Sequence, residues 1–476
     1  MSGIERQNYP DKRIKFGTDG WRAVIADEFT FSNVRAVAQA FCDYLFSIGS
    51  AQKGIAIGFD TRFLSAEFAE SVAEVVASNR IPAFLNRHFC PTPVLSFAVK
   101  NRNLAAGIMV TASHNPYNYN GLKFKGSYGG PATVEMTTSV KGFLFRNKPQ
   151  HDEKSIGEFL HKVDFFPEYA KQLSEIVKID AISTLQKPIV YDAMYGAGCG
   201  YLPSFLRDLK RFVNQIDAKP DPMFGGKLPE PILSNLSDLR KTVIREKAAV
   251  GLATDGDADR FGVLDENGKF VELHDLMPLL FEYLLETRNW SGDVVRTTSM
   301  ADTIDKVAAE HSRKVIEVPV GFKNVSEIMR DRDVLMGGEE SGGFGYKNHI
   351  PERDGILSCL LTLEMLAARK MPINEMVADL RKRFGAFHYG RIDRHHPTAE
   401  LVKNIEKLCA ISLKKIGEFT VDRISLIDGI KFYFSDGSWM LMRVSQTEPL
   451  GRIYVASDTD EKVNILLNEG VRLLTQ

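Results

Sequence analysis

The sequence predicts a multidomain α/β protein, with three successive units of alternating strand and helix followed by an antiparallel α+β module. Three observations carry this expectation. Short apolar runs bounded by turn residues alternate with apolar positions at helical spacing through most of the chain. Each of the first three units ends a strand in polar residues, at 111–116, 255–260 and 337–343. Beyond Phe387 the pattern changes to paired short strands around Asp436-Gly437, a hairpin signal. At 476 residues the chain is several times the usual domain size of roughly 100–150 residues. The expected domains are 1–155, 156–268 and 269–385, all α/β, and 386–476, α+β.

In the first unit, Val34, Val37, Ala38, Phe41 and Leu45 share a helical face, and residues 55–59 form a strand that ends in Asp60-Thr61-Arg62. Phe68, Val72, Val75 and Val76 give the next helix, before a strand at 81–85, a proline-led helix near Pro93 and the strand that ends at Ser113. The second unit has a helix through Tyr169, Leu173, Ile176 and Val177, a strand at 188–191, and a strand at 248–254 followed by a hairpin turn at Asn267-Gly268. Gly196-Ala197-Gly198-Cys199-Gly200 reads as a tight turn, since a lone glycine-rich turn is weak evidence for phosphate binding. The third unit has strands at 294–297 and 315–318 and helices from about Asp302 and Val325. A helix through Ile356, Leu360, Leu363 and Ala367 closes it, with the basic run Arg381-Lys382-Arg383 expected on its surface. The last module pairs strands at 431–434 and 439–443, adds one at 452–456, and ends in a helix through Val463, Leu466, Leu467, Val471 and Leu474.

A hydrophobic content of 44%, a charged content of 25% and a formal net charge of -1 give no broad attraction to nucleic acid or membrane. Any anion site must be local. The five cysteines are scattered without a CxxC pair, which argues against a zinc knot or a disulfide framework and for a cytoplasmic protein. No run of about 18 apolar residues is present to span a membrane.

The segment 107–116 runs from an apolar strand into Thr111-Ala112-Ser113-His114-Asn115-Pro116, which makes Ser113 a candidate nucleophile or, alternatively, an ordinary strand-end turn. Asp255, Asp257 and Asp259 alternate, so in an extended loop their carboxylates converge as hard oxygen ligands for Mg²⁺. A calcium loop of the EF-hand kind fails at its sixth position, where glycine is needed and Arg260 stands. Arg443 and Arg452 flank a loop with the hydroxyls of Ser445 and Thr447, an arrangement suited to a phosphate or to a plain strand connection.

Taken together, these segments resemble the α-D-phosphohexomutase superfamily, most closely its phosphoglucomutase and phosphomannomutase branch. The resemblance covers essentially the whole chain, through 16–22, 111–116, 255–260, 338–341 and 443–452 in the family's order. It implies four domains around a central cleft, three related α/β domains and a C-terminal one. It further implies that Ser113 is a phosphoserine whose phosphate completes the shell of a Mg²⁺ held by Asp255, Asp257 and Asp259. Glu339 and Ser341 match the family's sugar-binding loop, and Arg443, Ser445, Thr447 and Arg452 match its grip on the non-reacting phosphate. Gln446 replaces the glycine usual there.

The implied reaction is two phosphoryl transfers on a hexose phosphate, through a 1,6-bisphosphate, with glucose 1,6-bisphosphate as activator. Arg22, Lys123 and Arg260 would stabilise the transferring phosphoryl group. His114 stands beside the nucleophile, but adjacent side chains rarely point the same way, so it reads as a residue that shapes the loop. Lys123, His349 and Arg353 are the candidates for the base, and Lys323 in Gly321-Phe322-Lys323 is a further substrate contact. Gly338-Glu339-Glu340-Ser341 resembles the phosphoglucomutase form of the sugar loop, so glucose phosphates are the expected substrates. Dual phosphomannomutase and phosphoglucomutase activity is the alternative; a phosphoglucosamine mutase, whose sugar loop in the family usually has Gln where Glu340 stands, or a Mg²⁺-dependent phosphatase ranks lower. The expected assembly is a monomer or homodimer, without nucleic-acid or membrane partners.

Overall fold

The strand Ala106–Val110 is buried along its whole length, which is why its sequence shows a continuous apolar run instead of alternation. In the computed structural model, which describes residues 14–17, 20–207, 213–411, 413–445 and 450–475, this strand lies inside a six-stranded sheet. The order is Gly20–Val24, Tyr119–Gly126, Ala106–Val110, Ile55–Phe59, Ala83–Asn86, Leu160–Val163. The last four run parallel, and the first two are added antiparallel at one side. The helices Phe31–Ser47 and Ser65–Ser78 bury Val34, Phe41, Phe68 and Val72 against this sheet, as their spacing predicts. Phe29 lies 4.8 Å from both Trp21 and Phe68, centroid to centroid, which anchors the strand that carries Arg22.

Tyr119–Gly126 escaped the sequence reading because Lys123 and Lys125 interrupt its apolar pattern. Both lysines are buried, and both are neutralised by buried carboxylates, so the strand is an interior one despite its composition. Its register places Lys123 opposite both Gly20 and Met109, two positions of the neighbouring strands.

The chain forms two compact units, Met1–Val271 with Gly342–Ile373 and Glu272–Ser341 with Asn374–Gln476. A second sheet of the first unit has the order Phe261–Leu264, Val250–Thr254, Ile189–Asp192, Val213–Ile216. The aspartate loop is the connection between its antiparallel pair Val250–Thr254 and Phe261–Leu264. The helix Gly355–Arg369 packs on that pair, with Asp354 accepting the Leu357 N–H at 2.9 Å as its N-cap.

In the second unit, Val315–Val318, Asp293–Thr297 and Val334–Gly338 run parallel side by side. A six-stranded antiparallel sheet follows, in the order His388–His395, Leu450–Ser457, Trp439–Val444, Ile430–Phe434, Phe419–Ser425, Lys415–Ile416. The helices Thr398–Ala410 and Asp460–Thr475 cover it, burying Leu401, Leu466 and Leu474 against Phe432, Met440 and Ile453. The architecture is therefore three α/β domains plus a C-terminal antiparallel domain, as the alternation predicts. No helix among the described residues is long and apolar enough to cross a membrane.

Leu273–Thr287 is a helix that the periodicity missed, because it is buried nearly all round and contains Pro278. The basic run Arg381-Lys382-Arg383 lies at the surface as expected, and it also makes contacts with this helix. Arg381 Nη2 donates to the buried Asp275 at 2.6 Å and Arg383 Nη2 to the buried Glu282 at 2.6 Å, so two of the three cations clamp one helix to another.

On the same helix, His274 is buried, and its Nδ1 accepts the Ala301 N–H at 3.1 Å. Burial first, and then the nearby Lys431 charge, push its pKa down to about 3. Its folded pKa lies below the unfolded value of about 6.5, so the protein's stability from this group is intact above that pH and is lost as pH falls toward 3. Denaturant unfolding between pH 7 and 4.5 should show falling stability, and His274→Gln should flatten that slope. An unchanged slope in the variant would remove His274 from the acid response.

Candidate active site

Ser113 stands just past the carboxyl end of Ala106–Val110, the position at which α/β sheets present their ligands. It is fully buried and has a φ of +53°, a left-handed conformation that costs a serine about 1–2 kcal/mol. Several contacts hold it there. The Ser113 N–H donates to Thr111 Oγ1 at 2.9 Å, and Thr111 Oγ1 donates to Asp60 Oδ2 at 2.6 Å. The Arg62 guanidinium, with its side chain wholly buried, donates to the carbonyls of Ser113, Asn115, Pro116 and Tyr119 at 2.6–3.0 Å.

The aspartate loop meets the serine loop closely. A Cβ at Gly256 would lie 2.5 Å from the Ser113 carbonyl oxygen, so this position excludes a side chain. The Ser113 hydroxyl donates to Asp255 Oδ2 at 3.1 Å. One carboxylate oxygen from each of Asp255, Asp257 and Asp259 lies within 4.8 Å of the others, and all three residues are fully buried. The turn 196–200 proves to be a support for this loop, with the Ala197 N–H bonded to the Gly256 carbonyl at 2.9 Å.

Positive charge surrounds the carboxylates. Lys123 Nζ donates to Asp257 Oδ2 at 2.6 Å and Asp259 Oδ2 at 3.0 Å, Arg353 Nη2 donates to Asp259 Oδ2 at 2.8 Å, and the Arg260 guanidinium Nε lies 4.0 Å from Asp259 Oδ1, while the Arg260 backbone N–H donates to Asp255 Oδ1 at 3.1 Å. Thr92 Oγ1 donates to Asp257 Oδ2 at 2.5 Å. Arg22 Nη1 donates to Asn115 Oδ1 at 2.9 Å, which joins the first strand to the serine loop.

The charge states follow from these contacts. Burial alone would raise the Asp257 pKa, but Lys123 and the Thr92 hydrogen bond bring it below the ordinary carboxylate range. Burial followed by repulsion from Asp257 and Asp259 pushes Asp255 well up. Burial opposes a charge on Lys123, yet Asp257 and Asp259 outweigh it and raise its pKa. Burial, then the charges of Arg260, Arg22 and Lys123, hold His114 neutral, and its Nδ1 is buried without a partner among the described residues.

The carboxylates fit a divalent cation. Asp257 Oδ1 and Asp259 Oδ1 are buried without hydrogen-bond partners among the described residues, and buried carboxylate oxygens left that way are expensive unless a cation meets them. Asp255, Asp257 and Asp259 can therefore hold a metal, and an all-oxygen donor set suits a hard ion such as Mg²⁺. His349 is engaged elsewhere, with Nε2 2.9 Å from Asp354 Oδ2.

The other candidate residues lie in the second unit. The strand Val334–Gly338 delivers the buried Glu339, while Glu340 accepts hydrogen bonds from Ser299 Oγ and Thr297 Oγ1. Ser341 Oγ is buried and has no partner among the described residues. Arg443 and Arg452 are cross-strand neighbours, and the Ser445 N–H bonds the Leu450 carbonyl at 2.9 Å to close the base of their loop. Thr447 and Gln446 lie outside the described residues. Lys323 sits in the first turn of Phe322–Asp331, half-buried.

Arg62 and Thr92 were missed by sequence reasoning. Asp60-Thr61-Arg62 ends the parallel strand beside the serine strand, and that position was the available signal for Arg62. Thr92 had none, since its partner is 165 residues away.

Residues 13–151, 167–268 and 273–384 match, in turn, the phosphoglucomutase/phosphomannomutase alpha/beta/alpha domains I, II and III. A Thermococcus kodakarensis phosphoglucomutase/phosphomannomutase is 30% identical, over 97% of this chain and 98% of its own. A probable phosphoglucosamine mutase from Pyrococcus horikoshii is 32% identical, over 96% of this chain and 97% of its own. A crystal structure from Thermus thermophilus, provisionally called a phosphomannomutase, superposes with a TM-score of 0.86 at 33% identity, covering 97% of this chain and 99% of that one. The chain belongs to the phosphoglucomutase/phosphomannomutase family, within the α-D-phosphohexomutase superfamily of phosphotransferases and isomerases.

Mg²⁺ at about 100 times its dissociation constant should stabilise the protein by about 2.7 kcal/mol against chelator-treated protein. Asp257→Asn should lose most of the corresponding melting-temperature shift; a full shift in that variant would take Asp257 out of the metal set. Arg62→Ala should destabilise by about 3–5 kcal/mol, since it abandons a buried carboxylate. Chemical denaturation reads this directly, and a loss under about 1 kcal/mol would mean that the clamp is dispensable.

Proposed function

We propose that this protein is a phosphohexomutase that interconverts glucose 1-phosphate and glucose 6-phosphate through phosphorylated Ser113 and glucose 1,6-bisphosphate. The observation that supports this most is the Ser113 hydroxyl, 3.1 Å from Asp255 Oδ2 within a buried cluster of three carboxylates ringed by Lys123, Arg353 and Arg260. A serine so placed suits a phosphoryl carrier, because phosphoryl transfer demands alignment and charge stabilisation more than covalent chemistry.

In the forward direction the 6-hydroxyl oxygen of glucose 1-phosphate attacks the phosphorus of phosphoSer113. The bond from phosphorus to Ser113 Oγ breaks, and the hydroxyl proton leaves to a base. The bisphosphate then turns over, Ser113 Oγ attacks the phosphorus at position 1, the bond from that phosphorus to O1 breaks, and O1 takes up the proton, releasing glucose 6-phosphate. Lys123, Arg22, Arg260 and Arg353 offset the negative charge that spreads over the moving group. Mg²⁺ on Asp255, Asp257 and Asp259 would polarise the phosphoryl oxygens. Glu339 and Ser341 bind hexose hydroxyls, Lys323 assists, and Arg443, Ser445, Thr447 and Arg452 hold the phosphate that is not reacting. Glucose 1,6-bisphosphate would act as activator by phosphorylating free Ser113.

A wider substrate range is the second reading, and Glu340 favours keeping it. Its carboxylate is taken up by Ser299 and Thr297, contacts that a glutamine could also make, so Glu340 does not by itself separate glucose from glucosamine or mannose phosphates. Relatives carry both phosphomannomutase and phosphoglucosamine mutase names.

Ser113→Ala should lower kcat/KM by on the order of 10³ or more while sugar phosphate still binds. Near-normal turnover would end the nucleophile assignment. A coupled assay of glucose, mannose and glucosamine 1-phosphates with Mg²⁺ and a trace of the bisphosphate ranks the substrates by kcat/KM. Stoichiometric release of inorganic phosphate without isomer would instead make the protein a phosphatase.

A further inference from the structure

Arg443 comes near the end of the strand Trp439–Val444 with its side chain only 5% exposed. Its Nε donates to Asp428 Oδ2 at 2.7 Å, and the same oxygen accepts the Val320 N–H at 3.0 Å. One carboxylate oxygen therefore ties the candidate phosphate-binding arginine to the segment that leads into Gly321-Phe322-Lys323. That segment is pinned from its other side by Asn324, whose Nδ2 donates to the carbonyls of Pro319 and Val320 at 3.1 and 3.3 Å.

Asp428 belongs to the connection between Phe419–Ser425 and Ile430–Phe434. The next residue, Gly429, has a φ of +74°, and a Cβ there would lie 2.2 Å from the Met442 carbonyl oxygen and 3.0 Å from the Arg443 Cα. The connection can lie flat against the Arg443 strand only because this position lacks a side chain. The close approach brings the Asp428 carboxylate to Nε, the nitrogen on the inner side of the guanidinium. The terminal nitrogens, which a phosphate engages as a fork, take no part in this contact.

We propose that Asp428 is a positioning residue for substrate phosphate: by holding Arg443 Nε and the Val320 N–H on one oxygen, it sets the direction of the Arg443 fork relative to the Lys323 segment. This rests on the reading of Arg443 as a phosphate ligand. A flexible arginine would have to be ordered at each binding event, and the mutase cycle binds phosphate twice, so fixing the side chain beforehand lowers the cost of both. The contribution belongs to binding shared by ground and transition states, and so appears in KM.

The test is steady-state kinetics with glucose 1-phosphate on Arg443→Ala, Asp428→Ala, Asp428→Asn and the Asp428→Ala/Arg443→Ala double variant, with melting temperatures measured alongside. Asp428→Ala should raise KM by about tenfold or more with kcat within about threefold of the parent. Asp428→Asn keeps an oxygen for the Val320 N–H but loses the charge, and should fall between the two. The double variant should resemble Arg443→Ala alone, because Asp428 acts through that arginine. If Arg443→Ala leaves KM unchanged, the phosphate-grip reading itself falls. If Arg443→Ala raises KM while both Asp428 variants keep the parent KM, or change only melting temperature or only kcat, the positioning role falls and the grip stands. Should Asp428→Ala fail to fold, the Asn variant decides by the same criterion.

Discussion

Lys123 is the charge on which the site of the first unit depends. It is buried on an interior strand and reaches two carboxylates of the aspartate loop at 2.6 and 3.0 Å. Neither partner tolerates the loss of the other, since an unpaired buried charge costs several kcal/mol. The serine sheet and the aspartate loop are thereby held in one register. The same contact explains why three carboxylates can be packed together: Lys123, Arg353 and the Arg260 guanidinium 4.0 Å from Asp259 Oδ1 offset much of their repulsion, and among the described residues Asp257 Oδ1 and Asp259 Oδ1 accept no hydrogen bond.

Local strain is carried by the same framework. Ser113 adopts a left-handed backbone conformation that no glycine relieves, and Arg62 secures it through four carbonyls. A loop fixed in this way leaves little reorganisation for any chemistry at Ser113. The second unit uses the same device, with Asp428 on Arg443. In each case the side chain read as functional is aimed by one that the motif does not include.

Much of the fold was legible because burial writes a period into the chain. The helices through Val34 and Phe68, the strand Ile55–Phe59 and the hairpin at Asp436-Gly437 appear where apolar spacing and turn chemistry place them. The elements that escaped are those in which burial and polarity part company. Tyr119–Gly126 hides two lysines inside a sheet, and Leu273–Thr287 is buried on too many sides to show a stripe. The contacts of Arg381 and Arg383 were not legible because their buried partners, Asp275 and Glu282, lie about a hundred residues away.

The sequence by itself determined the reactive inventory: a serine after a buried strand, three alternating aspartates, a Gly-Glu-Glu-Ser loop and an arginine-flanked loop. These are local patterns, written within a few residues of one another. Only the tertiary structure decided which charges meet, because Coulombic and hydrogen-bond partners are chosen by distance in space. Lys123 finds Asp257 across 134 positions and Thr92 finds the same carboxylate across 165, contacts that no local pattern records. Those meetings set Lys123 against two carboxylates that raise its pKa, and they gave Arg62 and Asp428 their places beside residues the motifs had already named.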